Sequence, residues 1–409
     1  MRDDLGEWLQ ELGSAVPAIK KLLRKSESNQ RDAGCFHTLR EISQQPMTWN
    51  ETAARVVRDK TRLLEMLHGS AGSSSSSKAV VLTGSGSSSY AGKCLAPALQ
   101  EELQLPVSCV TGGAFLTQGS SAAPPCHPCL VVSLARSGDS PESCGAVDRM
   151  LQADTEHRHL IVTCNERGKL ATNYRNLPWV FFLDLHDRTN DRSLVMTSSF
   201  TNMVLAARFL GMLDSADQYI KLASSLGKVG REVLLEYTQP LADIAYRKIP
   251  LAVFLESGCA YGAAREAALK MLEMSGGQVK TLAETFLGLR HGPMVLFHAG
   301  MLVVCFLLSA NPARAYELDL IRELDRKELG VRKIIVGEDI PDELLQRGDL
   351  VVEGRGLQEL GDFNAPLIDI LVGQVLAFFQ CLFLGLQPDA PSANGVISRV
   401  VGPFPVYWQ

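Results

Sequence analysis

The segment Lys78–Thr83 reads as a continuous apolar strand and runs directly into Gly84-Ser85-Gly86-Ser87-Ser88-Ser89, with a helix expected at Tyr90–Glu102. A strand with no polar alternation must be covered on both faces, which is the condition of a strand inside a parallel sheet. The same pattern recurs at Val107–Val110, Leu130–Leu134, His159–Thr163 and Val180–Leu183, with helical stretches between. It returns in the second half at Leu251–Leu255, Gly300–Leu307, Arg332–Gly337 and Asp349–Glu353. The expected fold class is therefore α/β: two tandem doubly wound, flavodoxin-like parallel-sheet domains with helices on both faces.

A chain of 409 residues exceeds what one core supports, in keeping with two domains. The expected division is a helical segment over 1–50, a first domain over 51–215, a second over 216–386, and a tail over 387–409 that closes on the site. Within the first segment, 1–32 reads as one amphipathic helix with a polar link, and Thr38–Gln45 as a helix stopped by Pro46. Trp49–His68 reads as a further helix and Gly69–Ser77 as a flexible low-complexity loop. The net charge of −5, with no basic run, argues against a nucleic-acid surface. Leu367–Leu386 is long enough to span a bilayer but contains Asp369, Gln374 and Gln380, so it reads as a buried helix and no membrane partner is expected. The first residues, MRDDLGEWLQELG, do not form a signal peptide, and ten scattered cysteines form no disulfide framework. Both point to a cytoplasmic protein. Cys126-His127-Pro128-Cys129 has redox or zinc spacing, but it precedes a strand rather than opening a helix and has no second pair.

Two loops share one design. Gly84–Ser89 and Ala135-Arg136-Ser137-Gly138-Asp139-Ser140-Pro141 each follow a strand and open a helix. Both offer hydroxyls and backbone N–H groups at a helix N-terminus, where the dipole favours an anion. Neither ends in G-K-[ST], and neither carries the spacing of a dinucleotide fingerprint. A phosphate monoester fits better, with simple helix capping as the alternative. Thr197-Ser198-Ser199-Phe200-Thr201 opens another helix in the same way.

The stretch Glu256–Pro293 carries the reactive groups. Glu266, Lys270 and Glu273 fall within about 60° of one another on a helix. Ala264, Ala267, Ala268, Met271, Leu272 and Ser275 occupy the opposite arc. Acid, amine and acid on one face, followed by His291-Gly292-Pro293, form a set able to move protons. The same spacing also describes an ordinary Glu-to-Lys surface pair.

Taken together, GSGSSS, SLARSGDSPES and TSSFTNM resemble the sugar isomerase (SIS) domain, which binds phosphosugars. Ala268-Leu269-Lys270-Met271-Leu272-Glu273 and Leu289-Arg290-His291-Gly292-Pro293 resemble segments of the isomerase half of glucosamine-6-phosphate synthase. The chain is more similar still to the tagatose-6-phosphate ketose/aldose isomerase family, also described as galactosamine-6-phosphate isomerase/deaminase. That likeness rests on Thr38-Leu39-Arg40-Glu41-Ile42, Gln44-Gln45-Pro46, Trp49, Asp191-Arg192, Ala264-Arg265-Glu266, Arg290–Pro293 and Gly395–Val401. It departs from the synthase in lacking a tail lysine, the last lysine being Lys333, and a glutaminase domain.

The resemblance implies that a 6-phosphosugar places its phosphate on Ser88, Ser137 and Ser140, with Ser87 nearby. It implies that Glu273 is the base, that His291 assists ring opening, and that Lys270 and Glu266 position hydroxyls and stabilise charge. Arg136, Ser198 and Arg265 are secondary candidates for substrate binding. No metal or nucleotide cofactor is implied. The expected partner is a second copy of the chain, contributing His291 across a homodimer interface. Deamination, plain aldose–ketose isomerisation and a non-catalytic sensor stand as the three readings of function.

Overall fold

Among the described residues, ten strands run parallel to their neighbours in two five-stranded sheets. The structure is a computed structural model that describes residues 4–69, 76–153, 156–310 and 312–407. The first sheet holds β1 (Ala79–Gly84), β2 (Val107–Thr111), β3 (Cys129–Ala135), β4 (Arg158–Thr163) and β5 (Val180–Asp184), in the order β2-β1-β3-β4-β5. The second holds β6 (Leu251–Leu255), β7 (Lys280–Glu284), β8 (Leu302–Phe306), β9 (Arg332–Gly337) and β10 (Leu350–Glu353), in the order β10-β9-β8-β6-β7. Both orders are the flavodoxin-like 2-1-3-4-5 arrangement, and each reverses direction between its first and third strands. The doubly wound α/β expectation is met in both halves.

The chain divides into two compact units, each built around one sheet. One comprises 47–191, 198–224 and 397–409 and holds the first sheet; the other comprises 1–46, 192–197 and 225–396 and holds the second. In the first sheet β1 and β3 are buried along their whole length, as their uninterrupted apolar sequences require. Behind β1, β2 and β3, a cluster including Val81, Val110, Phe115, Val131 and Met150 forms one core layer. In the second sheet Val253, Leu255, Val303, Cys305 and Ile335 pack with Leu320, Ile321 and Leu324 from helix Ala313–Arg326.

The strand set differs from expectation at one point. Lys280–Glu284 (KTLAE) pairs in parallel with β6 as an edge strand, where no strand was expected. Its polar composition hides it, because an edge strand needs no apolar run. The N-terminal region departs further. Instead of one helix with a polar link over 1–32, the described residues form three helices, Asp4–Ala15, Pro17–Leu23 and Glu27–Asp32. Val16 is extended before Pro17, and Ser26 caps the third helix by accepting from Asn29 N at 3.2 Å. Pro46 does not stop a helix. It sits in the first turn of Gln45–Val56, where its missing N–H costs nothing. The expected helix Trp49–His68 is interrupted by a short 3-10 turn at Val57–Asp59. Most of the expected loop Gly69–Ser77 lies outside the described residues.

Helix Pro366–Phe383 is apolar and long enough to cross a membrane, yet 89% of it is buried. It packs along helix Tyr261–Met274, and its Gly373 makes the approach close: a Cβ there would lie 2.6 Å from Ala267 Cβ. Gln374 is buried with Gln45 Nε2 donating to its Oε1 at 2.7 Å, which satisfies the polar residue that marked this helix as non-membrane. Gly373→Ala is expected to push the two helices apart and lower stability by about 1–3 kcal/mol, read as a shift of the urea midpoint at unchanged m.

Candidate active site

In the first unit the two serine loops stand at the carboxyl ends of β1 and β3, the strands between which the sheet order reverses. This is the usual ligand crevice of such sheets. Helix Ser87–Leu103 begins earlier than expected, so that Ser87, Ser88 and Ser89 form its first turn. Gly84 is required by proximity, since a Cβ there would lie 2.6 Å from Ser88 Cβ. The N–H groups of Ser88 and Ser89 donate back to the Ser85 and Gly86 carbonyls at 3.2 and 3.0 Å. The hydroxyls, rather than these N–H groups, are therefore what the loop offers a ligand. Ser85 and Ser89 hydroxyls are buried and without a partner among the described residues.

In the second loop Gly138 adopts φ +67° and lets the chain turn. Ser140 Oγ accepts from Ser143 N at 3.2 Å and lies 2.7 Å from Ser143 Oγ, capping helix Pro141–Ala153. Ser137 Oγ accepts from Asp139 N at 3.3 Å, and Asn165 Nδ2 donates to the Ser137 carbonyl at 2.8 Å. Arg136, just before Ser137, is buried and donates to the carbonyl of Arg399 in the tail. Ser198 is fully buried, and its hydroxyl donates to Asp191 Oδ1 at 2.7 Å, the capping arrangement. Cys126 and Cys129 form no disulfide with one another, and Cys129 Sγ donates to the Cys126 carbonyl at 2.7 Å.

In the second unit, helix Tyr261–Met274 brings Glu266, Lys270 and Glu273 together. Lys270 Nζ lies 2.5 Å from Glu273 Oε2 and 3.3 Å from Glu266 Oε1. Lys270 and Glu266 are essentially inaccessible, while the Glu273 side chain is 22% exposed. The surface-pair alternative therefore fails for Glu266 and Lys270, because a solvated pair would not be buried. Burial pulls the Lys270 pKa down, but Glu266 and then Glu273 overcome this and hold it above the ordinary lysine value. The ammonium stays charged, and the one solvent-reaching group of the set is Glu273. On the opposite arc Ala264, Ala267, Ala268, Met271 and Ser275 are buried as expected, but Leu272 is exposed. Arg265 is half-buried and lies with its guanidinium 5.8 Å from the Tyr261 ring centroid.

His291 is not brought to this set by its own helix. It follows helix Phe286–Leu289 on the surface, its N–H donating to the Gly288 carbonyl at 2.9 Å. Gly292 then takes φ +128° and opens the turn Pro293–Leu296.

Sequence reasoning missed a group of buried carboxyls at the corresponding reversal of the second sheet. Glu256, just past β6, accepts from Ala264 N at 2.7 Å and so fixes the start of the helix bearing Lys270. It shares a hydrogen bond with Asp369 of helix Pro366–Phe383, and burial raises both pKa values well above the ordinary range. Glu317 accepts from Leu308 N at 2.9 Å, and burial pushes it up to about 7. Isolated Glu and Asp codes carry no sign of this, because the pairing joins positions more than fifty residues apart.

Glu317 has a folded-state pKa above its ordinary value of 4.5, so its contribution to stability is complete below that value. It is lost as pH rises through about 7. Between pH 5 and 8 the wild type is expected to lose on the order of 3 kcal/mol relative to Glu317→Gln. Denaturant unfolding of both proteins across that range measures the difference.

No family model matches the chain. Among curated relatives, a Streptomyces coelicolor protein provisionally named D-galactosamine-6-phosphate deaminase AgaS is 34% identical over 378 residues, covering 90% of this chain and 95% of the relative. The D-galactosamine-6-phosphate deaminase AgaS of Shewanella sp. is 33% identical over 387 residues, covering 91% and 92%. Among solved structures, one from Clostridium novyi NT, provisionally titled a tagatose-6-phosphate ketose/aldose isomerase, superposes with a TM-score of 0.84 at 29% identity, covering 94% of this chain and 98% of that one.

Proposed function

We propose, starting from the fact that this chain belongs to the D-galactosamine-6-phosphate deaminase AgaS family, that it converts galactosamine 6-phosphate and water to tagatose 6-phosphate and ammonia. The observation that carries this reading is the buried Lys270 ammonium held between Glu266 and Glu273, with only Glu273 reaching solvent. Proton transfer between adjacent carbons needs one accessible base beside a fixed positive charge, and this helix supplies both.

In this reading the phosphate is bound by Ser88, Ser137 and Ser140, with Ser87 beside them and Arg136 adding charge. The unpartnered hydroxyls of Ser85 and Ser89 support a polar ligand at the first loop. His291 passes a proton at the ring oxygen as the sugar opens. Glu273 takes the hydrogen of C2 and returns it at C1, through an enolamine. Lys270 stabilises negative charge developing on oxygen, and Glu266 holds Lys270 in place. The resulting C2 imine adds water and loses ammonia. Ser198 serves through Asp191 as a support of its loop, and Arg265 is a secondary contact. A cytoplasmic setting, where sugar phosphates are formed, belongs to the same proposal and accords with described cysteines that are thiols rather than disulfides.

The proposal includes a homodimer in which His291 of the partner subunit completes each site. Leu287, Val295 and Leu296 surround His291 in sequence and are exposed, Val295 at 87%, which supports an apolar contact there. Val295→Asp is expected to shift the protein to monomer in light scattering and to abolish turnover. A fully active monomer excludes the shared site.

Ammonia release and ketose 6-phosphate formation from galactosamine 6-phosphate test the reaction. Glu273→Gln is expected to lower kcat by about 10²–10⁴-fold with substrate still bound. The similarity to ketose/aldose isomerases favours a second reading, isomerisation without loss of nitrogen. Turnover of an aldose 6-phosphate, with no ammonia from galactosamine 6-phosphate, selects it.

A further inference from the structure

We infer that Arg399 is a latch tying the C-terminal tail to the phosphate loop after β3, so that phosphate binding and tail closure are a single coupled event. The inference rests on Ser137 and Ser140 being phosphate ligands. Arg399 is a positioning residue in this account, not a catalytic one.

Arg399 makes hydrogen bonds in two directions. Its backbone carbonyl accepts from Arg136 Nη2, on the residue next to Ser137. Its side chain donates from Nε to the Asp191 carbonyl at 2.7 Å and from Nη2 to Asn190 Oδ1 at 2.6 Å. The Asp191 carboxylate is fully buried and accepts from Ser198 Oγ at 2.7 Å, Ser199 N at 2.9 Å and Ser199 Oγ. One tail residue thus bridges the loop after β3 and the turn that opens helix Ser198–Arg208. Both guanidinium groups also lie near Cys164 at the end of β4: burial pushes its thiol up to about 12, and Arg136 and Arg399 act against that.

Val401, Phe404 and Tyr407 are exposed, while Val400 and Val406 are half-buried. Further along, Arg149 Nη2 reaches the Tyr407 carbonyl at 3.3 Å. Charge-assisted hydrogen bonds hold the tail here, and one of them originates on the phosphate loop itself. An anion on Ser137 and Ser140 orders Arg136 and, through it, the Arg399 carbonyl. Reciprocity requires that a closed tail raise phosphate affinity by the same factor by which phosphate favours closure.

The test uses the full chain as wild type, Arg399→Ala and Arg399→Lys, with inorganic phosphate as the probe. Phosphate affinity is measured by calorimetry, hydrogen exchange is followed in the 397–407 segment, and kcat and KM are measured with galactosamine 6-phosphate. In the wild type, phosphate is expected to slow exchange of the tail. In Arg399→Ala that protection is lost, phosphate binding weakens by about tenfold, and KM rises by a similar factor while kcat changes less than about twofold. Arg399→Lys recovers part of the loss, because it keeps a charged donor but not the two-pronged contact. If Arg399→Ala lowers the melting temperature, Asn190→Ala, which removes one acceptor, is used instead and gives the same signs at smaller size. Wild-type phosphate affinity and tail protection that persist undiminished in Arg399→Ala overturn the latch alone. A wild-type chain that binds no phosphate overturns the phosphate reading, and the latch with it.

Discussion

Parallel pairing is the constraint from which the rest of this structure follows. Each strand must be re-entered from the same end, so each pair is joined by a crossover, and all carboxyl ends of a sheet gather on one edge. With the order 2-1-3-4-5 in both sheets, the loops after the first and third strands part from one another and leave a crevice. The two halves share this geometry and fill it with opposite chemistry. In the first sheet the loops after β1 and β3 carry Ser85, Ser87–Ser89, Ser137 and Ser140. In the second, the corresponding region carries Glu256, with Glu317 bound to the N–H just beyond β8. Hydroxyls suit a phosphate. Buried carboxyls repel one, and here they brace helix and loop ends instead.

That bracing matters for the helix bearing Lys270. Burying an ammonium and a carboxylate side by side is costly, and it is tolerated only where the pair is held in good geometry. Glu256 secures the start of helix Tyr261–Met274 through Ala264 N. Gly373 and Ala267 permit helix Pro366–Phe383 to pack closely along it. The helix can then keep Glu266 and Lys270 out of water while Glu273 reaches it.

Legibility in the sequence followed burial. Strands such as Ala79–Gly84 and Cys129–Ala135 were readable because burial on both faces leaves an uninterrupted apolar code. Lys280–Glu284 was not, because at the sheet edge its identity depends on the partner β6 and not on its own composition. Pro46 was misread because proline ends a helix from within and begins one at its first turn, and local sequence does not say which applies. At the site, the grouping of Glu266, Lys270 and Glu273 follows from helical periodicity alone. The pairing of Glu256 with Asp369 and the contacts of Arg399 do not, since those partners lie far away in the chain.

The amino-acid sequence by itself determined the α/β class, the two serine loops at strand ends and the acid–amine–acid face. These depend on local periodicity, which is written in consecutive residues. Only the tertiary structure decided that Glu266 and Lys270 are buried rather than a solvated pair, that the second crevice is filled by carboxyls, and that Arg399 binds the loop of Arg136. Those outcomes depend on which distant segments exclude water from a given side chain, and solvent exclusion is a property of the packed chain.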